Sequence, residues 1–205
     1  TSAGTLTFSS SITNVDATNA ADVTLTTATG ALSVVGAIVG TNAVTINSTS
    51  GNITLGGAIS TTGPLSQILI GATSVAISGS GSIYDFTGLT LGNILVSGAV
   101  STTGTGAGIL IVTGATGNIT TSSTITTSGA VNGTTNSVII LDTDGAGDVN
   151  VNGAISTTNG GTILIGVDNS ATPIVGGDLI NINGTLTTSG TTAGDIQIGV
   201  AGGTV

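Results

Sequence analysis

The stretch Asn52-Ile-Thr-Leu-Gly-Gly-Ala-Ile-Ser-Thr61 decides the fold. Ile53 and Leu55 flank Thr54, so a short strand puts two apolar side chains on one face and a hydroxyl on the other. Gly57-Ala58 turns a corner, and Ile59 opens a second strand. The phrase recurs as Asn93-Ile-Leu-Val-Ser-Gly-Ala-Val-Ser-Thr102 and Asp148-Val-Asn-Val-Asn-Gly-Ala-Ile-Ser-Thr157. Looser copies are Asn118-Ile-Thr-Thr-Ser-Ser-Thr-Ile-Thr-Thr127 and Leu179-Ile-Asn-Ile-Asn-Gly-Thr-Leu-Thr-Thr188, and the weakest begin at Thr5, Ala31 and Ser74. The eight starts, 5, 31, 52, 74, 93, 118, 148 and 179, are separated by 26, 21, 22, 19, 25, 30 and 31 residues. The mean is near 25.

A second signal follows each copy. Short apolar runs stand at Val23/Leu25, Val44/Ile46, Ile68/Ile70, Leu89/Leu91, Ile109/Ile111, Val138/Ile140, Ile163/Ile165 and Ile196/Ile198. Each repeat therefore has three short strands. A strand of three to five residues buries nothing alone, but equivalent strands from successive repeats bury one another when stacked. Asn-Gly pairs at 132–133, 152–153, 159–160 and 183–184 would also suit hairpins, yet they fall at repeat corners. The expected fold is all-β: a parallel β-helix (β-solenoid) over residues 1–205, with about eight coils and three strands per coil. At ~4.8 Å per rung, eight coils make a rod roughly 40 Å long. No cap is visible at either end of the repeats, so both edges are expected to be open.

The phrase Gly51-Asn-Ile-Thr-Leu-Gly-Gly-Ala-Ile-Ser-Thr-Thr-Gly63 and its copies resemble the repeats of filamentous-haemagglutinin-type adhesins, autotransporter passengers and bacterial β-strand-repeat surface proteins. The resemblance covers nearly the whole chain. It implies a right-handed parallel β-helix, export, and a role in attachment, aggregation or fibre formation.

Composition narrows the chemistry. The 205 residues include 41 Thr, 35 Gly, 22 Ser, 15 Asn and 56 Ile, Leu and Val, with no Lys, Arg, His, Glu, Cys, Met or Trp. Nine Asp give a net charge of −9. A chain without cations does not neutralise phosphates, so nucleic acid is excluded as a partner. Zinc, haem and thiol chemistry lack their ligands, and Schiff-base and imidazole catalysis lack their bases. The Asp residues fall at no repeating position, which argues against a paired-carboxylate hydrolase. The expectation is a non-enzymatic protein. Thr, Ser, Gly, Val, Ile and Asn disfavour helix and suit strands. No apolar run is long enough for a membrane helix, and no basic-plus-apolar leader opens the sequence.

Several groups of residues invite a functional reading. Asp142, Asp144 and Asp148, spaced by glycines, resemble the start of a calcium loop, because Ca²⁺ takes six to eight oxygens; the alternative is a solvated corner. A weaker loop holds Asp168, Asn169, Pro173 and Asp178. Tyr84, Asp85 and Phe86 could stack on and bond a sugar, although Phe86 is read first as core or a loop plug. The pairs Ser60-Thr61, Ser101-Thr102, Thr126-Thr127, Ser156-Thr157 and Thr187-Thr188 could form a hydroxyl array along the outside. Asn52, Asn93, Asn118 and Asp148 are expected to form a polar ladder or to satisfy backbone groups at a corner.

The function these features point to is an extracellular rod or fibre segment. Its expected partners are itself, end to end or laterally, or flanking solenoid repeats. A glycan-binding module and a calcium-stabilised wall or S-layer-like matrix protein are the alternatives. With no cysteine, the ladder and the apolar stack supply the stability.

Overall fold

The computed structural model describes residues 5–14, 22–78, 83–114, 116–128, 137–166, 179–190 and 194–199, with side chains undescribed at 76–78 and 83–85. Its strands run in rungs of three. The first rung is β1 (Leu6–Phe8), β2 (Ile12–Asn14) and β3 (Val23–Thr27), and the second is β4 (Leu32–Val34), β5 (Ile38–Gly40) and β6 (Val44–Ser48). The third is β7 (Ile53–Leu55), β8 (Ile59–Thr61) and β9 (Gln67–Ile70), followed by β10 (Ser74–Ser78) and β11 (Ile83–Thr87). The fourth is β12 (Ile94–Val96), β13 (Val100–Thr102) and β14 (Gly108–Thr113), and the fifth is β15 (Ile119–Thr121), β16 (Ile125–Thr127) and β17 (Val138–Thr143). The sixth is β18 (Val149–Val151), β19 (Ile155–Thr157) and β20 (Thr162–Ile165), and the seventh is β21 (Ile180–Ile182), β22 (Leu186–Thr188) and β23 (Ile196–Ile198).

The first strands of all rungs form one seven-stranded sheet, the second strands another, and the third strands a third. All pairings within these sheets are parallel, as the register Ile53↔Ile94↔Ile119↔Val149 shows. This is a parallel β-solenoid with three strands per coil. Alternate residues of all three sheets point inward and form one core, in which Leu32, Ile53, Ile68, Ile109, Ile125 and Ile163 are fully buried. Stacking hides what a three-residue strand leaves exposed by itself.

Among the described residues the coils number seven rather than eight. Ser74–Ser78 looks like a repeat start, but it pairs antiparallel with Ile83–Thr87, as in Val75↔Phe86. The chain leaves the third sheet at Gly71, whose φ of +93° favours glycine. It returns at Thr90, whose N–H donates to the Gly71 carbonyl at 2.6 Å. The next rung then pairs Ile94 directly with Ile53. Leu89 and Leu91 are in no strand, and Leu91 is exposed. The antiparallel hairpin is thus an insertion in one long coil.

One register also differs from the sequence reading. Ile109 pairs with Ile139 and Ile111 with Leu141, so these residues enter the core. Val138 and Ile140 face outward into a second apolar cluster with Leu69, Ala72, Leu110, Val112 and Leu164. Val75 and Phe86 of the hairpin, with Leu89, pack against it. The sequence signal is the unbroken run, as in Ile109-Leu-Ile-Val112 or Val138-Ile-Ile-Leu141, which marks a strand covered on both faces.

Candidate functional site

The outer face of the first sheet carries Thr7, Ser33, Thr54, Leu95, Thr120, Asn150 and Asn181 in register. The second sheet presents Thr13, Val39, Ser60, Ser101, Thr126, Ser156 and Thr187. Both faces are short, uncharged side chains. Only the first member of each Ser/Thr-Thr pair belongs to them. Thr61, Thr102, Thr127 and Thr157 point inward and are buried, because a three-residue strand starting on an inward Ile or Val also ends inward. The hydroxyl array is therefore one column wide. The buried hydroxyls serve corners instead: Thr61 Oγ1 bonds Ser66 Oγ at 2.9 Å, and Thr157 Oγ1 donates to Gly161 O at 2.7 Å. Thr102, Thr121 and Thr127 Oγ1 are buried with no hydrogen-bond partner.

The Asn/Asp series forms the ladder its spacing suggests. Asn52 Oδ1 accepts from Asn93 N at 2.9 Å, Asn93 Oδ1 from Asn118 N at 2.9 Å, and Asn118 Oδ1 from Asp148 N at 2.8 Å. Asp148 Oδ1 then accepts from Leu179 N at 3.3 Å. A second type of ladder joins Asn181 Nδ2 to Asn150 Oδ1 at 2.8 Å and Asn183 Nδ2 to Asn152 Oδ1 at 2.9 Å. Both types run along the axis, the first satisfying corner amides and the second pairing side chains, which makes them structural.

The aspartates expected to hold calcium are not gathered around one point. Asp142 is half-buried on β17. Asp144 is exposed beyond it, its N–H donating to Thr113 O at 2.7 Å. Asp148 is committed to the ladder. Among the described residues, no three His, Cys, Asp or Glu side chains come together as a metal-holding group. β17 is extended through Thr143, which sets Asp142 on the strand apart from Asp144 and Asp148 in the corner beyond it. Asp168, Asn169, Pro173 and Asp178 lie outside the described residues.

Tyr84, Asp85 and Phe86 sit on β11. Phe86 packs half-buried against the second apolar cluster, the core-like role its chemistry suggests. The side chains of Tyr84 and Asp85 lie outside the described part of the structure. Among the described residues, no helix is long and apolar enough to cross a membrane.

The two ends of the stack differ from its middle. Leu6 in the first rung is 39% exposed, and Ile196 and Ile198 in the last are 40% and 36% exposed, while Leu32 and Ile163 one rung inward are at 0%. No protein-family model matches the chain, and no curated protein or solved structure matches it either.

Proposed function

We propose that the protein is a non-enzymatic structural rod of the cell exterior, mediating surface attachment, aggregation or matrix formation. The observation that carries this reading is the stack: seven in-register rungs, roughly 30 Å from first to last, with short uncharged side chains over most of the outer faces of the first two sheets. Nearly all of the chain's chemistry is spent on making that stack. Asn52, Asn93 and Asn118 bond backbone amides, Thr113, Thr143 and Thr157 bond corner carbonyls, and Phe86 packs on a sheet face. The absence of Lys and Arg from the sequence leaves no site for trypsin-like proteases, which suits an exposed fibre. The resemblance of the repeat phrase to those of bacterial surface adhesins supports the same location. Surface labelling of intact cells, with electron microscopy of the native material, tests it. Thin rods accessible to a membrane-impermeant label are expected; compact particles confined inside the cell would overturn it.

A further inference from the structure

The Ser/Thr-Thr pairs give the outer face of the second sheet one column of hydroxyls, and the residue after each pair adds a second. Thr103 N donates to Thr61 O at 3.1 Å, and the N–H groups of Ser128, Thr158 and Ser189 donate to Thr102 O, Thr127 O and Thr157 O at 3.0 Å, so the ladder runs one residue past β13, β16, β19 and β22. Each of these residues follows an inward Thr and therefore points outward. Thr62, Thr103, Ser128 and Ser189 are exposed and Thr158 is half-buried. Across rungs three to seven both columns are Ser or Thr without exception: Ser60, Ser101, Thr126, Ser156 and Thr187 in the first, and these five in the second. Composition alone does not produce this, because the outward residues of the first sheet in the same rungs are Thr54, Leu95, Thr120, Asn150 and Asn181. The column on the other flank, Ala58, Ala99, Thr124, Ala154 and Thr185, is small throughout and keeps that flank low.

Charge is absent from the same side of the rod. The sequence has nine Asp, and none falls in residues 54–66, 95–107, 120–128, 150–162 or 181–194, which carry this face. The described aspartates stand elsewhere: Asp22, Asp142 and Asp195 on or beside strands of the third sheet, Asp144 and Asp148 at the corner between the third sheet and the first. A net charge of −9 kept off one face fits a neutral partner. Each hydroxyl there both donates and accepts, and the stiff χ1 of threonine holds it in place. The fitting partner is a surface that repeats in two directions and offers donors and acceptors equally. A sugar is gripped by aromatic rings and by planar amides or carboxylates, and the two columns have none. We propose that the outer face of the second sheet binds the surface of an ice crystal. The proposal goes beyond the rod reading and needs only the stack.

Hydrogen-bond geometry supplies the match. In a tetrahedral network of O–H···O bonds about 2.75 Å long, second neighbours lie about 4.5 Å apart and the layers repeat every ~7.3 Å. Hydroxyls on successive rungs are ~4.8 Å apart, and the two columns, two residues apart on a strand, are ~6.7 Å apart. Centred on the middle of the five rungs, the misfit along the axis reaches about 0.6 Å at the outermost, and across the face about 0.3 Å per column. Rotation of a hydroxyl takes up displacements of that size. A charged side chain would hold its own hydration shell against the lattice, and the two columns carry none.

Partition into a slowly grown ice crystal tests the proposal, with the protein in the ice and in the remaining liquid measured by mass spectrometry beside an inert globular control. Enrichment in the ice is expected, with faceted crystals and a gap between the melting and freezing points. Thr126→Tyr, in the middle of the face, should abolish the enrichment by lifting the hydroxyls off the crystal. Thr103→Tyr provides a second block should Thr126→Tyr fail to fold. Thr120→Tyr, outward on the first sheet of the same rung as Thr126, should leave the enrichment unchanged. A chain that keeps its β-sheet circular dichroism but is excluded from ice like the control overturns the proposal and leaves the rod reading standing. Enrichment that survives both blocking variants overturns it too, since the ice is then bound elsewhere, and so does its loss in a folded Thr120→Tyr chain. Dimers in sedimentation velocity that Thr126→Tyr disperses, with no enrichment in ice, would assign the face to a second copy and overturn it.

Discussion

Gly98 offers the sharpest test of how tightly the rungs are stacked. It sits in the corner between β12 and β13, in a column formed by Ser10, Gly36, Gly57, Gly98, Ser123, Gly153 and Gly184. A Cβ built at Gly98 would lie 1.9 Å from the Gly57 carbonyl oxygen and 2.4 Å from its carbon. Ordinary contact begins near 3.4 Å, so Gly98→Ala requires the corner to open by about 1.5 Å. The opening strains two hydrogen bonds to Leu55 O, from Ser97 N at 2.8 Å and Gly98 N at 3.1 Å. Losing two such bonds costs about 1–3 kcal/mol, and overpacking adds a similar amount, for a total of about 3 kcal/mol or more. For a chain of this length that corresponds to a melting temperature lower by ~6–12 °C. Gly56 is the control, because its Cβ would meet nothing nearer than 3.7 Å and its column already holds Val35, Ser97 and Asn152. Gly56→Ala should change stability by no more than about 0.5 kcal/mol. Thermal melting followed by far-ultraviolet circular dichroism compares the two. Equal melting temperatures would refute the close approach of the rungs. Ser10 and Ser123 in the same column make this a demanding test, since their corners accommodate a side chain there.

Other perturbations follow from single contacts. Thr102→Val replaces a buried hydroxyl without a partner by a methyl group and should stabilise by about 1 kcal/mol, whereas Thr157→Val breaks the bond to Gly161 O and should destabilise by a similar amount. Denaturant melts that ranked the two variants the other way would contradict these assignments. Asn93→Ala orphans the Asn118 amide and should cost about 1 kcal/mol, while Asn93→Asp keeps an acceptor, as Asp148 does naturally, and should retain most of the stability. Phe86→Ala should loosen the inserted hairpin alone. Hydrogen exchange is expected to quicken about tenfold or more between residues 74 and 87 while Ile94–Val96 stay protected, and uniform loss of protection would show the hairpin to be integral to the stack.

The repeat phrase was enough to read the rungs, because alternation and corner glycines answer to backbone geometry that every coil shares. Ile53, Ile94 and Val149 could be aligned by eye, and the structure pairs them. Two features escaped for physical reasons. The run Ser74-Val-Ala-Ile-Ser78 has the alternation of any half-buried strand, and alternation does not say whether the partner is the preceding rung or the next strand in sequence. The outward side of Leu69, Leu110 and Ile140 went unread because an interior column accounts for half of each run, and the other half makes sense only once a cover exists. The polar candidates divided in the same way. Asn52, Asn93 and Asn118 do what a repeated amide at one corner position does. The aspartates at 142, 144 and 148 looked alike in the sequence but are parcelled out to a strand, a loop and a ladder. The second Thr of each Ser/Thr-Thr pair looks like surface in the sequence because threonine is polar. Its β-branched shape fits the inner column, where a corner carbonyl can accept its hydrogen bond.

A pair of cysteines introduced at Ser60 and Ser101 measures the stacking most directly, since the natural chain has none to interfere. These residues are paired neighbours on β8 and β13 although 41 positions apart in sequence. Their Cα atoms should lie about 4.8 Å apart, within disulfide reach. Thr126 is one rung further, near 10 Å from Ser60, and cysteines at Ser60 and Thr126 should remain reduced. Mass spectrometry after mild oxidation reads both. A disulfide in the first variant and none in the second is the expected result. Failure of Ser60 and Ser101 to join, as an extra coil between them at residue 74 would require, would contradict the seven-rung stack.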